Sequence, residues 1–162
     1  MMYRRMILKG CFVLLSLLLS SASLAETSSS SNLVSTETLA RWGYRPLTTL
    51  TYLKSYCDKS TIVKRYVRYQ AIKSVKPVPE HSHLYYRYTL IVESYRTESE
   101  VNSRLTALRN PANISSKHAK LCNLRKIFSD RNNIYMVHTD AGVFTDNEMS
   151  RVFLLFRQSQ LN

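Results

Sequence analysis

Two neighbouring segments of alternating polarity constrain this chain more than any other feature. In residues 62–75, one face would carry Val63, Val67, Tyr69, Ala71 and Val75, and the other Lys64, Tyr66, Arg68 and Gln70. In residues 84–95, one face would carry Leu84, Tyr86, Tyr88, Leu90 and Val92, and the other Tyr85, Arg87, Thr89 and Glu93. A period of two is typical of a half-buried β-strand, and the prolines between the segments cannot continue a ladder. The sequence therefore predicts a long antiparallel hairpin.

Two capping boxes predict helices that follow strands. Thr97 with Glu100 opens a segment whose apolar residues Val101, Leu105 and Leu108 recur at helical spacing before Asn110. The same pattern begins at Thr145, 48 residues later, and is a weak internal repeat. Its inward-facing residues would be Met149, Val152, Phe153 and Phe156. Two strand-then-helix units favour an α+β fold, a mainly antiparallel sheet with helices packed on one face.

Other segments give weaker signals. Ser35 or Thr36 could cap a short helix that Gly43 and Pro46 interrupt. A further helix could start at Ser115 or Ser116 and end at Asn132-Asn133, and a short strand would follow at 134–138. The residues of that helix that would face inward are Leu121, Leu124 and Phe128.

The first 25 residues have the pattern of a secretory signal peptide. Arg4, Arg5 and Lys9 precede an apolar core, and small residues before Ala25 predict cleavage after it. Residues 26–32 are then a flexible Ser-rich leader, and 33–162 form a single α+β domain. The mature chain would be periplasmic or secreted, with no apolar run long enough to span a bilayer.

The cysteines agree with export. Cys11 lies in the signal segment, which leaves Cys57 and Cys122 as the mature pair. Two cysteines in an oxidising compartment usually form a disulfide, and closing so long a loop contributes roughly 4 kcal/mol in the chain-entropy model. Neither has a second Cys or His at ligand spacing, so no metal site and no cofactor is expected.

Charge points to anionic partners. The chain has 23 Lys and Arg against 11 Asp and Glu, an excess that favours adhesion to anionic polymers. The predicted hairpin interleaves cations and aromatic rings, which together suit sugar rings, bases or acidic polymers. The candidate binding residues are Lys64, Tyr66, Arg68, Tyr85 and Arg87.

Catalysis has little support in the pattern. A cationic nuclease would need paired histidines as general acid and base, but His81, His83, His118 and His138 are not spaced to converge. Glu98 and Glu100 match the E-x-E of ADP-ribosylating toxins, although capping already accounts for Glu100. We therefore expect no enzymatic activity.

The runs Y-T-L-I-V-E-S-Y from Tyr88 and G-V-F-T-D-N-E-M-S-R from Gly142, each with its helix, resemble the halves of a SPOR (sporulation-related repeat) domain over about residues 88–157. That resemblance implies binding of peptidoglycan glycan strands on an exposed sheet face, without catalysis. Glu93 stands where the family usually has glycine, and the segment between the halves is long.

The sequence as a whole predicts a non-catalytic exported protein of the bacterial cell envelope. It would bind an anionic polymer, peptidoglycan or an envelope protein complex. A secreted effector or toxin subunit is the alternative that export and charge also allow.

Overall fold

A computed structural model describes residues 28–30, 32–47, 66–110, 125–139 and 145–162, with backbone alone at 28–30. Predictions that lie outside the described residues include the signal peptide at 1–25, the disulfide between Cys57 and Cys122, and the helix start at Ser115 or Ser116.

Six strands and three helices make up the described part of the chain. In chain order they are β1 (Ser28–Ser30), α1 (Thr36–Trp42), β2 (Tyr44–Pro46), β3 (Tyr66–Ser74), β4 (Arg87–Ser94), α2 (Glu98–Arg109), β5 (Arg125–Asp130), β6 (Asn133–Thr139) and α3 (Asp146–Leu161). The strands form one sheet in the order β1-β3-β4-β6-β5, and β2 also pairs with β3. Only β1 runs parallel to its neighbour among these strands. The predicted α+β class with a mainly antiparallel sheet is confirmed at this level.

The predicted hairpin is present as β3 and β4. Its register runs from Tyr66 opposite Ser94 to Lys73 opposite Arg87. Hydrogen bonds between Ser74 and Tyr86 extend the pairing beyond the strand ends, through the Ser74 amide and the Ser74 Oγ. The hairpin is therefore continuous up to the proline-containing connection.

Helices cover both faces of the sheet, so the prediction of helices on one face was wrong. On one face, α1 and α3 pack Leu39, Trp42, Met149, Val152 and Phe156 against Tyr88, Leu90, Val92, Tyr135 and Val137. On the other face, α2 packs Val101, Leu105 and Leu108 against Val67, Ile91, Ile134 and Met136. The physical reason is that β4 and β6 are apolar at successive positions, as in Leu90-Ile91-Val92, so each face needs cover.

The helix caps follow the predicted chemistry with one difference. Ser35 caps α1, and Gly43 ends it at φ 83°, a left-handed conformation that favours glycine. Thr97 and Glu100 form the full capping box of α2. Thr145 accepts from the Glu148 amide at the start of α3, but the Glu148 carboxylate turns to Tyr44 and Arg151.

Phe128 lies in a strand and not in a helix, which corrects the helical assignment of that segment. Residues Arg125–Asp130 form an antiparallel hairpin with β6, closed by a turn in which Arg131 has φ 48°. The Phe128 ring stacks on Tyr135 across the hairpin, with centroids 4.5 Å apart. Cross-strand aromatic pairs of this kind stabilise a strand that periodicity alone leaves ambiguous.

The serine-rich leader also differs from its prediction in part. Ser28–Ser30 pair with Val67–Tyr69 as the parallel strand β1. The sheet therefore begins earlier in the chain than the composition suggested.

Candidate functional site

Four of the five residues predicted to form one basic aromatic face are described, and these four do not lie together. Arg68 lies opposite Val92, whereas Arg87 lies opposite Lys73. Opposed residues in an antiparallel pair share a face and successive residues alternate, so Arg68 and Arg87 belong to opposite faces. Tyr66 is at the Arg68 end of β3, about 23 Å along the strand from Lys73. Lys64 is outside the described residues.

A different set of cations does lie together, at the end of the sheet where β2 joins it. Arg45 is directly opposite Lys73, and Lys73 is directly opposite Arg87. Directly opposed side chains share a face, with Cβ atoms about 5 Å apart. We call Arg45, Lys73 and Arg87 the cation row. Arg45 and Arg87 are exposed, and Lys73 is partly exposed.

An aromatic ring belongs to the same surface. The Lys73 Nζ lies 3.8 Å from the centroid of the Tyr85 ring, a cation–π contact. Tyr85 and Arg87, two of the predicted residues, therefore contact or flank the row. Sequence reasoning missed Lys73, because it left the register of the hairpin open, and it missed Arg45, because only the distant pairing of β2 with β3 brings Arg45 beside Lys73.

The cation row has no acidic partner among the described residues. The ion pairs in that part of the chain join Arg104 to Glu93, Lys126 to Asp146 and Arg151 to Glu148. Like charges placed directly opposite each other destabilise a sheet. The row is therefore a concentration of positive charge that the described part of the protein does not neutralise.

His138 lies on the same face of the sheet as the cation row, further from the end of the sheet. It is opposite both Thr89 and Arg125, and Thr89 is two residues from Arg87 on β4. Burial, followed by the charge of Arg125, lowers the pKa of His138 to about 4. The imidazole is therefore neutral near pH 7, and the positive charge of the row comes from its arginines and lysine.

A cleft of about 640 Å³ occupies the opposite face at the same end of the sheet. Its walls come from the α1–β2 junction, the β3–β4 connection and the first turns of α3. The residues that carry the argument below are Trp42, Tyr44, Tyr86, Asn147, Glu148 and Arg151. We call this space the aromatic cleft.

An ionised carboxylate is fixed at one side of the aromatic cleft. Glu148 Oε1 accepts from the Tyr44 hydroxyl at 2.6 Å and from an Arg151 Nη at 2.6 Å, and Oε2 accepts from Arg151 Nε at 2.9 Å. Burial raises the Glu148 pKa, but these hydrogen bonds and the Arg151 charge outweigh it, and the net pKa is lowered. Burial, and then the bond to Glu148, raises the pKa of Tyr44, so its hydroxyl stays protonated and donates.

Three tyrosines are layered beneath the cleft. Tyr86 is parallel to Tyr88 with ring centroids 6.4 Å apart, and Tyr88 is tilted against Tyr44 at 6.0 Å. The Tyr88 hydroxyl is buried without a hydrogen-bond partner in the described part of the chain. Burial, followed by the Glu148 charge, raises the Tyr88 pKa. Tyr86 therefore packs against the Tyr88 ring and also lines the cleft.

The residues considered for catalysis are dispersed. His81 and His83 are exposed in the β3–β4 connection, His138 is buried in β6, and His118 lies outside the described residues. Glu100 accepts from the Arg96 and Thr97 amides, as its capping role requires. Within the described ranges no three His, Cys, Asp or Glu side chains form a group that could hold a metal ion.

Similarity to known proteins does not assign a function to this chain. Comparison with models of known families, with curated proteins and with solved structures produced no match. No helix in the described segments combines the length and apolar content needed to cross a membrane. The function must therefore be argued from the cation row and the aromatic cleft.

Proposed function

We propose that this chain is an exported, non-catalytic binding protein of the bacterial envelope that holds an anionic polymer on the cation row. The observation that carries the proposal is the register of Arg45, Lys73 and Arg87, three adjacent cations with no acidic partner among the described residues. A bound polyanion would relieve their mutual repulsion and release its own counterions.

The arrangement favours a polymer over a single small anion. Three cations on adjacent strands extend over about 10 Å, since neighbouring strands are about 4.8 Å apart. A linear chain of negative charges can contact all three, whereas one small anion contacts one or two. Tyr85 adds a ring at which a sugar or base could stack, next to Lys73.

The sheet faces themselves are less suitable for binding. The SPOR resemblance implies a glycan on an exposed sheet face, but α2 covers one face and α1 and α3 cover the other. The cation row lies at the end of the face that α2 covers, where Arg45 and Arg87 are exposed, and this end is therefore the surface on which we place the polymer.

The test compares two double variants with equal loss of charge. Arg45→Gln with Arg87→Gln removes two cations of the row, and Arg96→Gln with Arg131→Gln removes two exposed cations from turns at the opposite end of the sheet. Binding to polyphosphate, single-stranded DNA and purified peptidoglycan is measured over a salt series. We expect the row variant to bind at least tenfold more weakly, with a salt slope lower by about 1.5 for DNA.

The control variant, Arg96→Gln with Arg131→Gln, should keep most of the wild-type affinity for each polymer. Tyr85→Ala should weaken binding with little change in salt slope, because a ring contributes stacking and releases no counterions. Equal losses in both double variants would contradict the proposal, since binding would then follow net charge alone. No retention on any polymer at moderate salt would favour a protein partner.

Cell fractionation separates the envelope from the effector alternative. We expect the mature chain in the periplasm. Recovery mainly from culture medium or from a host cell would favour the secreted effector.

A further inference from the structure

The aromatic cleft is lined by a hydrogen-bond donor, an acceptor and an aromatic ring: Arg151, Glu148 and Tyr86. The Glu148 and Arg151 side chains are 21% and 45% exposed, so both reach solvent. The Arg151 Nε and one Nη bond to Glu148, and the same Nη also bonds to the Trp42 carbonyl at 3.0 Å. The guanidinium also contacts Tyr44, with Cζ 5.8 Å from the ring centroid, and the hydrogen bonds of Arg151 in the described part of the protein do not use the second Nη.

The Glu148 carboxylate can also accept a further hydrogen bond. Glu148 Oε1 accepts two hydrogen bonds, whereas Oε2 accepts one, from Arg151. A carboxylate oxygen can accept two, so one acceptor position remains on Oε2. A guanidinium N–H and a carboxylate lone pair in one cleft can bond to separate hydroxyl groups of one ligand, the first hydroxyl accepting and the second donating.

From this geometry we propose that the aromatic cleft binds a ring of a neutral carbohydrate. Hydroxyl groups of the sugar would bond to Arg151 and Glu148, Asn147 would add an amide, and the apolar face of the ring would lie on Tyr86. The cleft volume of about 640 Å³ is within the range of small-molecule sites. This site is on the opposite face from the cation row and does not depend on polymer binding there.

The Glu148–Arg151 pair favours a neutral ligand over a charged one, and the remaining charged residue of the lining is Lys76 of the β3–β4 connection. Glu148 and Arg151 neutralise each other through two hydrogen bonds, at 2.9 and 2.6 Å. A charged group would have to compete with that pair. A purely apolar ligand would cover the unpartnered Arg151 N–H without replacing its water, which is unfavourable.

The chain contains a single tryptophan, Trp42, and it lines the cleft. Its fluorescence therefore reports occupation directly. Cellobiose, chitobiose and maltotriose are titrated into the full-length mature protein, with a glucuronate disaccharide and a proline-rich peptide as comparison ligands. We expect a saturable change with at least one neutral oligosaccharide in the millimolar range.

Variants locate the binding. Arg151→Gln and Tyr86→Leu should each weaken it at least about tenfold, since hydrogen bonds to charged groups and ring stacking contribute that much. Asn147→Ala should weaken it less and changes an exposed side chain, so it also tests the site if either other variant unfolds. Asn102→Ala on the outer surface of α2 is the matched control and should have no effect.

Three results would overturn the proposal. They are no fluorescence change with any neutral oligosaccharide, a change unaffected by Arg151→Gln, Tyr86→Leu and Asn147→Ala together, and tighter binding of the glucuronate disaccharide or the peptide. The Arg45→Gln, Arg87→Gln variant separates the two sites. If it binds sugar normally while wild-type protein retains no polymer, the proposed function fails and the cleft assignment stands.

Discussion

At the scale of single residues, His138 has the surroundings that most directly predict a pH dependence. The imidazole is 7% exposed, and burial and the charge of Arg125 lower its pKa to about 4. In the unfolded chain the pKa returns to about 6.5. Between these values the unfolded state binds more protons, so the free energy of unfolding falls as the pH decreases from 6.5 to 4.

The expected loss between pH 7 and pH 4.5 is about 2.5 kcal/mol, since pH 4.5 lies within the interval between the two pKa values. Urea unfolding of wild type and His138→Gln at pH 7 and pH 4.5 measures it. The difference between the two pH values should be smaller in the variant. His81→Gln, an exposed histidine of the β3–β4 connection, is the control and should leave the difference unchanged. An identical pH dependence in His138→Gln would show that other groups cause it.

At the scale of elements, a buried ion pair attaches α2 to the sheet. Arg104 donates to Glu93 through Nε at 2.9 Å and through an Nη at 3.0 Å, and Tyr95 donates to the same carboxylate at 2.6 Å. Arg104 is 3% exposed and Glu93 is fully buried. Breaking such a pair from one side leaves a buried charge without compensation.

Arg104→Met should therefore lower the free energy of unfolding by about 3 to 5 kcal/mol. Adding Glu93→Leu to that variant should recover part of the loss, since replacing a buried pair by apolar residues is often tolerated. Arg109→Met, an exposed arginine at the end of the same helix, should change stability little. Urea denaturation of all three decides the matter. A small effect of Arg104→Met would mean that the pair is not needed for docking of α2.

The elements also show how far the sequence could predict this fold. Local signals predicted the β3–β4 hairpin, the α2 capping box and the strand β6, because each depends on neighbours within a few residues. The assumption that apolar and polar residues alternate along each strand could not predict that helices cover both faces of the sheet. In β4 the run Leu90-Ile91-Val92 is continuous, and Glu93 is buried because Arg104 compensates it from α2.

The candidate sites were harder to predict for the same reason. The strand period correctly placed Tyr85 and Arg87 on one face, but the register places Arg68 on the other. Arg45 reaches the row only through pairing of β2 with β3, and Tyr44 reaches Glu148 across 104 residues. Long-range pairing leaves no local signature in composition or periodicity.

At the scale of the whole molecule, the two candidate sites share one end of the sheet and lie on opposite faces. Tyr44, which borders the cleft, is opposite Ser74, and the next residues, Arg45 and Lys73, belong to the cation row. The β3–β4 connection follows directly and contributes Lys76, Pro77 and Pro79 to the cleft. The placement of β2 against β3 therefore shapes both sites together.

We also propose a disulfide between Cys57 and Cys122, which would link two distant parts of the chain covalently. Cys57 lies in the sequence between β2 and β3, and Cys122 lies between α2 and β5, so the bond would close a long loop of the chain. Cys57→Ser, Cys122→Ser and the double variant should each lower stability by roughly 2 to 4 kcal/mol, and by the same amount, because any one of them removes the whole cross-link.

Cys11→Ser is the matched control for this prediction, since Cys11 lies in the predicted signal peptide and should be absent from the mature chain. Gels of the exported protein should show different mobility with and without reductant, and thiol counting under denaturant should find no free cysteine. Two thiols that alkylate readily in native protein would contradict the disulfide.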